Sequence, residues 1–170
     1  MKPASTYEIQ FSGLSTGKHE FDWALEPGFF DERNAEEITE CDLTAEVLME
    51  KTDRMLMFIF NISGKVKTIC DHCGEELWLD IQTSDELIAK FGTETDLTGD
   101  EVVVLGPSEF KFDVSQYIFE FTILSIPARR VHKHGECNPE AEQYLEKADF
   151  IEENKQNDPR WKALETLKNK

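Results

Sequence analysis

Two cysteines separated by two residues, Cys70-Asp-His-Cys73, are followed some sixty residues later by the run His132-Lys-His134-Gly-Glu-Cys137. Thiolates and imidazoles presented in close pairs are the donors that zinc takes in structural sites, and a two-residue gap is the short loop that lets both side chains reach one ion. Cys70 and Cys73 supply one pair. Cys137 supplies half of the other, with His134 at the same two-residue gap or with His132 four residues clear of it. A zinc ion held by both pairs would fasten two distant segments, and closing so long a loop is worth roughly 4 kcal/mol in the chain-entropy account of cross-links.

Other chemistries for these residues fit less well. A redox dithiol of the thioredoxin type opens a helix, whose terminus lowers the thiol pKa. Here GEELWLDIQ follows the cysteines with the alternation of a strand. Cys70 and Cys73 as a thiol-dependent redox pair therefore remain the alternative reading. The HxE of His134-Gly-Glu136 has the residue types of the zinc deaminases, but in that signature HxE precedes Pro-Cys-x-x-Cys. In this chain the order is reversed and Ile69 precedes the first cysteine. No phosphate-binding glycine loop and no nucleophile elbow occurs, so no enzyme is expected. A closed four-ligand site also leaves no position for a substrate. His19 and His72 read as exposed polar residues, and Cys41 as a small buried hydrophobe on the apolar face of a strand.

The elements that must position the donors are mostly strands. Cys41, Leu43, Ala45, Val47 and Met49 alternate with polar residues, which predicts a half-buried strand from residue 39. MLMFIFNI at 55–62 reads as a central strand punctuated by Ser63-Gly64. Alternation then resumes on both sides of the cysteines, through Val66 and Thr68 and again through Leu77, Leu79 and Ile81, so the CxxC sits in the turn of a β-hairpin. YEIQF and HEFDWAL suggest two further strands, and FFDERNAEEI a short helix or loop. TETDLTGDE is an acidic loop without the calcium-loop pattern, and VVVL after it a short strand. At Asp113 the period changes: the aspartate caps a helix with Val114, Tyr117, Ile118, Phe121 and Leu124 or Ser125 on one face, stopped by Pro127. Beyond Cys137 come two helical pieces, around Tyr144, Leu145 and Ala148 and around Trp161, Leu164 and Leu167.

Composition bounds the partners. The chain has 170 residues, 39% of them hydrophobic, enough for one core, and a formal charge of −17. Phosphate affinity comes mostly from Lys and Arg, so the molecule as a whole is not a non-specific nucleic-acid binder. Lys65, Lys67, Arg129, Arg130 and Lys133 flank the two donor pairs, and zinc would gather them into a local basic patch suited to RNA phosphates or an acidic protein surface. No stretch has signal-peptide or membrane-span character, which predicts a cytoplasmic protein. Disulfides are the minor reading in that compartment.

The run CDHCGEELWLDI, an acidic loop, FDVSQYIFEFTILSIP and RRVHKHGEC, in that order over residues 40–137, resembles the YceD family, the large ribosomal RNA subunit accumulation proteins of bacteria and plastids. In that family a CxRC knuckle precedes a helix of the form DL…E…LxLP and a Cys- or His-containing segment. Asp113, Glu120, Leu124 and Pro127 stand at the matching places, whereas His72 replaces the usual Arg and the last segment has a single cysteine. By place after the proline, His132 matches the family's ligand-like position, while local spacing favours His134. The resemblance implies a non-enzymatic role in 23S rRNA accumulation and large-subunit biogenesis, with a large-subunit ribosomal protein or the rRNA itself as partner. The expected architecture is α+β: an antiparallel β-sheet, barrel-like if it closes on itself, with one main helix, a Cys/His knuckle clamp and a helical C-terminal tail. Residues 1–137 form the YceD-like domain, and residues 138–170 an acidic, then basic, tail.

Overall fold

A computed structural model of the chain describes residues 7–35, 37–99 and 101–144. It divides into two compact units, Met1–Ile69 with Glu76–Arg130, and Cys70–Glu75 with Val131–Lys170. The first unit is an open five-stranded sheet in the order β2-β3-β4-β5-β6, formed by β2 (Gly17–Leu25), β3 (Glu40–Lys51), β4 (Met55–Ile69), β5 (Glu76–Phe91) and β6 (Val102–Leu105). A separate ribbon pairs β1 (Glu8–Ile9) with β7 (Phe112–Asp113). The helices are α1 (Pro27–Asp31) and α2 (Ser115–Ser125).

The residues that β3 and β4 turn to one face of the sheet form a continuous apolar surface. Leu43, Ala45, Val47 and Met49 of β3 and Leu56, Phe58, Phe60 and Ile62 of β4 are all almost fully buried. Rings close over that face: Phe112 stacks on Phe58 at 5.1 Å and Phe121 meets Phe60 edge-on at 5.2 Å. The β1–β7 ribbon anchors the start of α2, with Val114 N–H donating to the Tyr7 carbonyl at 3.1 Å and Lys111 paired to Glu8 at 2.7 Å. The Asp113 carboxylate accepts from the Ser115 N–H at 2.8 Å, but Val114, not the expected Asp113, holds the N-cap position.

The fold departs from the sequence expectation at four points. The sheet does not close into a barrel, because its edge strands β2 and β6 are not paired to one another. It is also not wholly antiparallel: residues 92–101 carry the chain back so that β6 lies parallel to β5, with Ile88 opposite Val102. Ser63-Gly64 does not interrupt β4, which runs on to Ile69. Gly64 has φ +138°, and a Cβ there would collide with the Asp42 carbonyl oxygen, so the glycine is what allows β3 to lie against a continuous strand. On α2 the buried face centres on Ile118 and Thr122, and Leu124, roughly 120° round the helix from Ile118, is 79% exposed. Residues 139–144 are helical, and the remainder of the expected tail, from 145 on, lies outside the described residues. Among the described residues no helix is long and apolar enough to cross a membrane.

Replacing Gly64 by alanine should therefore lower the unfolding free energy by about 2 kcal/mol or more, since both φ and space are unsuited to a side chain. Urea unfolding would show the midpoint falling, and an unchanged midpoint would contradict this account of the strand.

Candidate metal centre

The second unit joins the hairpin turn, residues 70–75, to the segment that starts at Val131. In the turn the Cys70 N–H donates to the Glu75 carbonyl at 2.8 Å, and the Gly74 N–H donates back to the Cys70 carbonyl at 2.9 Å. Gly74 takes φ +76°, a left-handed position that glycine enters without steric cost, and this folds the two cysteines onto one side of the turn.

The partner segment is shaped by a second turn and a helix start. The Glu136 N–H donates to the Lys133 carbonyl at 3.0 Å, with Gly135 at φ +84° in the third position. His134 occupies the exposed corner of this turn, while His132 and Cys137 lie on either side of it. Asn138 then caps the helical residues 139–144: its side-chain oxygen accepts from the Glu140 N–H at 2.8 Å, and Pro139 takes the first helical place. The Asn138 amide also donates to the Glu75 carboxylate at 2.5 Å, tying the helix start to the end of the cysteine turn.

The four donor atoms of Cys70, Cys73, His132 and Cys137 all lie within 4.8 Å of one another. Cys70 Sγ is 4.0 Å from Cys137 Sγ, Cys73 Sγ is 3.4 Å from His132 Nδ1, and Cys137 Sγ is 3.8 Å from the same nitrogen. A tetrahedron with zinc–sulfur bonds of about 2.3 Å and a zinc–nitrogen bond of about 2.0 Å has edges of roughly 3.5 to 3.8 Å, so the donor set fits that ion. All four cysteines, including Cys41, are free thiols.

The electrostatics point the same way. Burial pushes the Cys70 thiol up, but the backbone N–H groups of Cys73, His132 and His72 and the Cys73 thiol outweigh it and bring the pKa down to about 6. Burial pushes the Cys137 thiol up to about 11, and the neighbouring Cys73 and Cys70 sulfurs add to the rise. Sulfurs so close cannot all ionise without a cation among them, and a dication supplies that charge. Cys41 is a separate case: burial, then Asp42, Asp31 and Glu26, push it up to about 11, and its thiol donates to the Leu25 carbonyl at 3.3 Å.

The structure places the remaining candidates as follows. His134 is outside the donor cluster. Lys65 lies 3.7 Å from Asp80, Lys67 bridges Glu40 at 2.9 Å and Glu76 at 2.8 Å, and Arg130 meets Glu37 at 2.9 Å. Glu76, then Glu40, raise the Lys67 pKa through these bonds. Arg129 is exposed in the same unit, and Lys133 belongs to the second one. Two contributors were not singled out in the sequence. Asn138-Pro139 followed by Glu-Ala-Glu has the N-cap and first-turn pattern of a helix start, a signal that was available. Glu142 groups with His72 and Cys137 within 4.8 Å, which no local spacing announces.

An open, mostly antiparallel α+β sheet with a clustered three-thiol, one-imidazole donor set defines the class of protein. The family model described as large ribosomal RNA subunit accumulation protein YceD matches residues 58–168, more than half of the chain, which therefore belongs to the YceD family. No curated protein and no solved structure matches the chain significantly. The family description ties its members to accumulation of the large-subunit ribosomal RNA.

If His132 completes the site, His132→Ala should abolish stoichiometric zinc binding while His134→Ala retains it. Competition with a chromophoric chelator measures both, and loss of zinc in the His134 variant alone would reverse the assignment.

Proposed function

We propose that this chain is a non-enzymatic, zinc-stabilised binding module that supports 23S rRNA accumulation and assembly of the large ribosomal subunit. The observation that carries the reading is the convergence of four zinc-type donors, drawn from segments 67 residues apart at the outer pair, within a chain of the YceD family. Residues Cys70, Cys73, His132 and Cys137 would hold the ion, whose part is structural: four protein ligands leave no open coordination position.

The partner on this reading is a large-subunit ribosomal protein or the rRNA. Carboxylates stand beside Lys65, Lys67 and Arg130, which weighs toward a protein, because a lysine or arginine already facing a carboxylate has less to offer a phosphate. The lowered Cys70 thiol is the one feature that favours thiol–disulfide chemistry with Cys73 instead.

Elemental analysis of protein purified without a metal-affinity tag separates the two. About one zinc per chain is expected, lost in both Cys70→Ser and Cys137→Ser, with the cysteines resisting alkylation until a chelator is added. Cells that depend on either variant should accumulate less 23S rRNA. Metal-free protein with Cys70 and Cys73 readily oxidised to a disulfide would put the redox reading in its place.

A further inference from the structure

Among the described residues, the rings and helices that bury the sheet's first face leave its second face uncovered. Strand register puts Glu20, Leu48, Ile59 and Glu86 in one row across it, and Asp22, Glu46, Asn61 and Ser84 in the next. A third row runs through Lys18, Glu50, Met57, Ile88 and Val102. Residues directly opposite one another, and residues two apart along a strand, share a face. The result is an apolar stripe, with Leu48, Met57, Ile59 and Ile88 half-buried and Val102 41% exposed, crossing β3 to β6.

The rim of this stripe is acidic. Glu20, Asp22, Glu46, Glu50 and Glu86 border it, and among the described residues none of the five has a cationic partner within ion-pair distance. That contrasts with the knuckle end of the same face, where Lys65 and Lys67 neutralise Asp80, Glu40 and Glu76. Lys18 and Lys90 stand at the far end, opposite Glu50 and Met55. Five carboxylates without ion-pair contacts, against the two lysines at the far end, make a rim around aliphatic side chains that repels phosphate and suits a ligand with positive charge and apolar surface together.

We infer that this open face docks a lysine- and arginine-rich polypeptide segment that also carries aliphatic side chains. Apolar contacts along the stripe exclude water, and the rim carboxylates steer the approach and fix orientation. The inference rests on the ribosome-assembly reading for the partner's origin, a basic protein of the large subunit, and not for the surface itself.

The test titrates the isotope-labelled full chain with a synthetic peptide alternating lysine and leucine, followed by amide chemical shifts. A peptide with glutamate in place of lysine and a poly-uridine RNA serve as comparisons. The lysine peptide should perturb the outward-facing residues of β3, β4 and β5 and bind about tenfold more weakly to the Glu46→Lys, Glu50→Lys double variant. A Glu32→Lys, Glu94→Lys variant of equal net charge, altered away from the face, should bind as the wild type does. The same spectra report whether each variant is folded. Equal weakening in both double variants, no binding, or RNA shifting the same amides would overturn the docking surface. Normal 23S rRNA in cells carrying the Glu46→Lys, Glu50→Lys variant, with peptide binding lost, would overturn only the proposed origin of the partner.

Discussion

Register between β4 and β5 is the constraint on which the rest depends. Fifteen cross-strand pairs run from Met55 opposite Lys90 to Ile69 opposite Glu76. A slip of one residue would turn Phe58, Phe60 and Ile62 from the core to the open face and bring the polar row of Asn61 and Ser63 inward. The apolar pattern therefore fixes which residues meet at the end of the ladder, and residues 70–75 are what remains to make the turn. Two of those six are cysteines, and Gly74 supplies the one left-handed backbone position that folds them together.

Charge then decides what that turn and its partner segment can be. Burial first, then the neighbouring Cys73 and Cys70 sulfurs, push the Cys137 thiol up to about 11, and thiolates so close repel one another. Hydrogen bonds from backbone N–H groups relieve part of this at Cys70, and an ion of charge +2 would relieve the rest. The same logic separates the two halves of the open sheet face. Near the knuckle, lysines on β4 sit between carboxylates of β3 and β5, whereas Glu20, Asp22, Glu46 and Glu86, around the stripe of Leu48, Met57 and Ile59, make no ion pair among the described residues. With a formal charge of −17 the molecule approaches partners as an anion, and any contact with phosphate has to be made against that field.

Much of this was legible in the sequence where period-two alternation reports one-sided burial. The strand from residue 40, the hairpin with its cysteine turn, and the helix after Asp113 all follow from the spacing of apolar residues. Alternation is silent on which edge strands meet, so it could not decide between a closed and an open sheet, and it reads the same for parallel and antiparallel partners, which hid the direction of β6. A glycine's usual role in a strand is to end or bulge it, whereas the role of Gly64, clearance for the Asp42 carbonyl, depends on a neighbour from another strand. Local spacing favours His134 and place after the proline favours His132, so the sequence leaves the choice open. What separates them is the turn at 133–136, in which Gly135 at φ +84° puts His134 on the outside. The pairing of Lys65, Lys67 and Arg130 with carboxylates was likewise a matter of cross-strand and long-range neighbours rather than of local composition.

The most direct measurement is X-ray absorption at the zinc edge on protein purified from cells without added metal. The account predicts a first coordination shell of three sulfurs at about 2.3 Å and one nitrogen at about 2.0 to 2.1 Å, from Cys70, Cys73, Cys137 and His132. An absent edge, or a shell dominated by oxygen, would contradict the claim that the two segments are held by a single zinc ion.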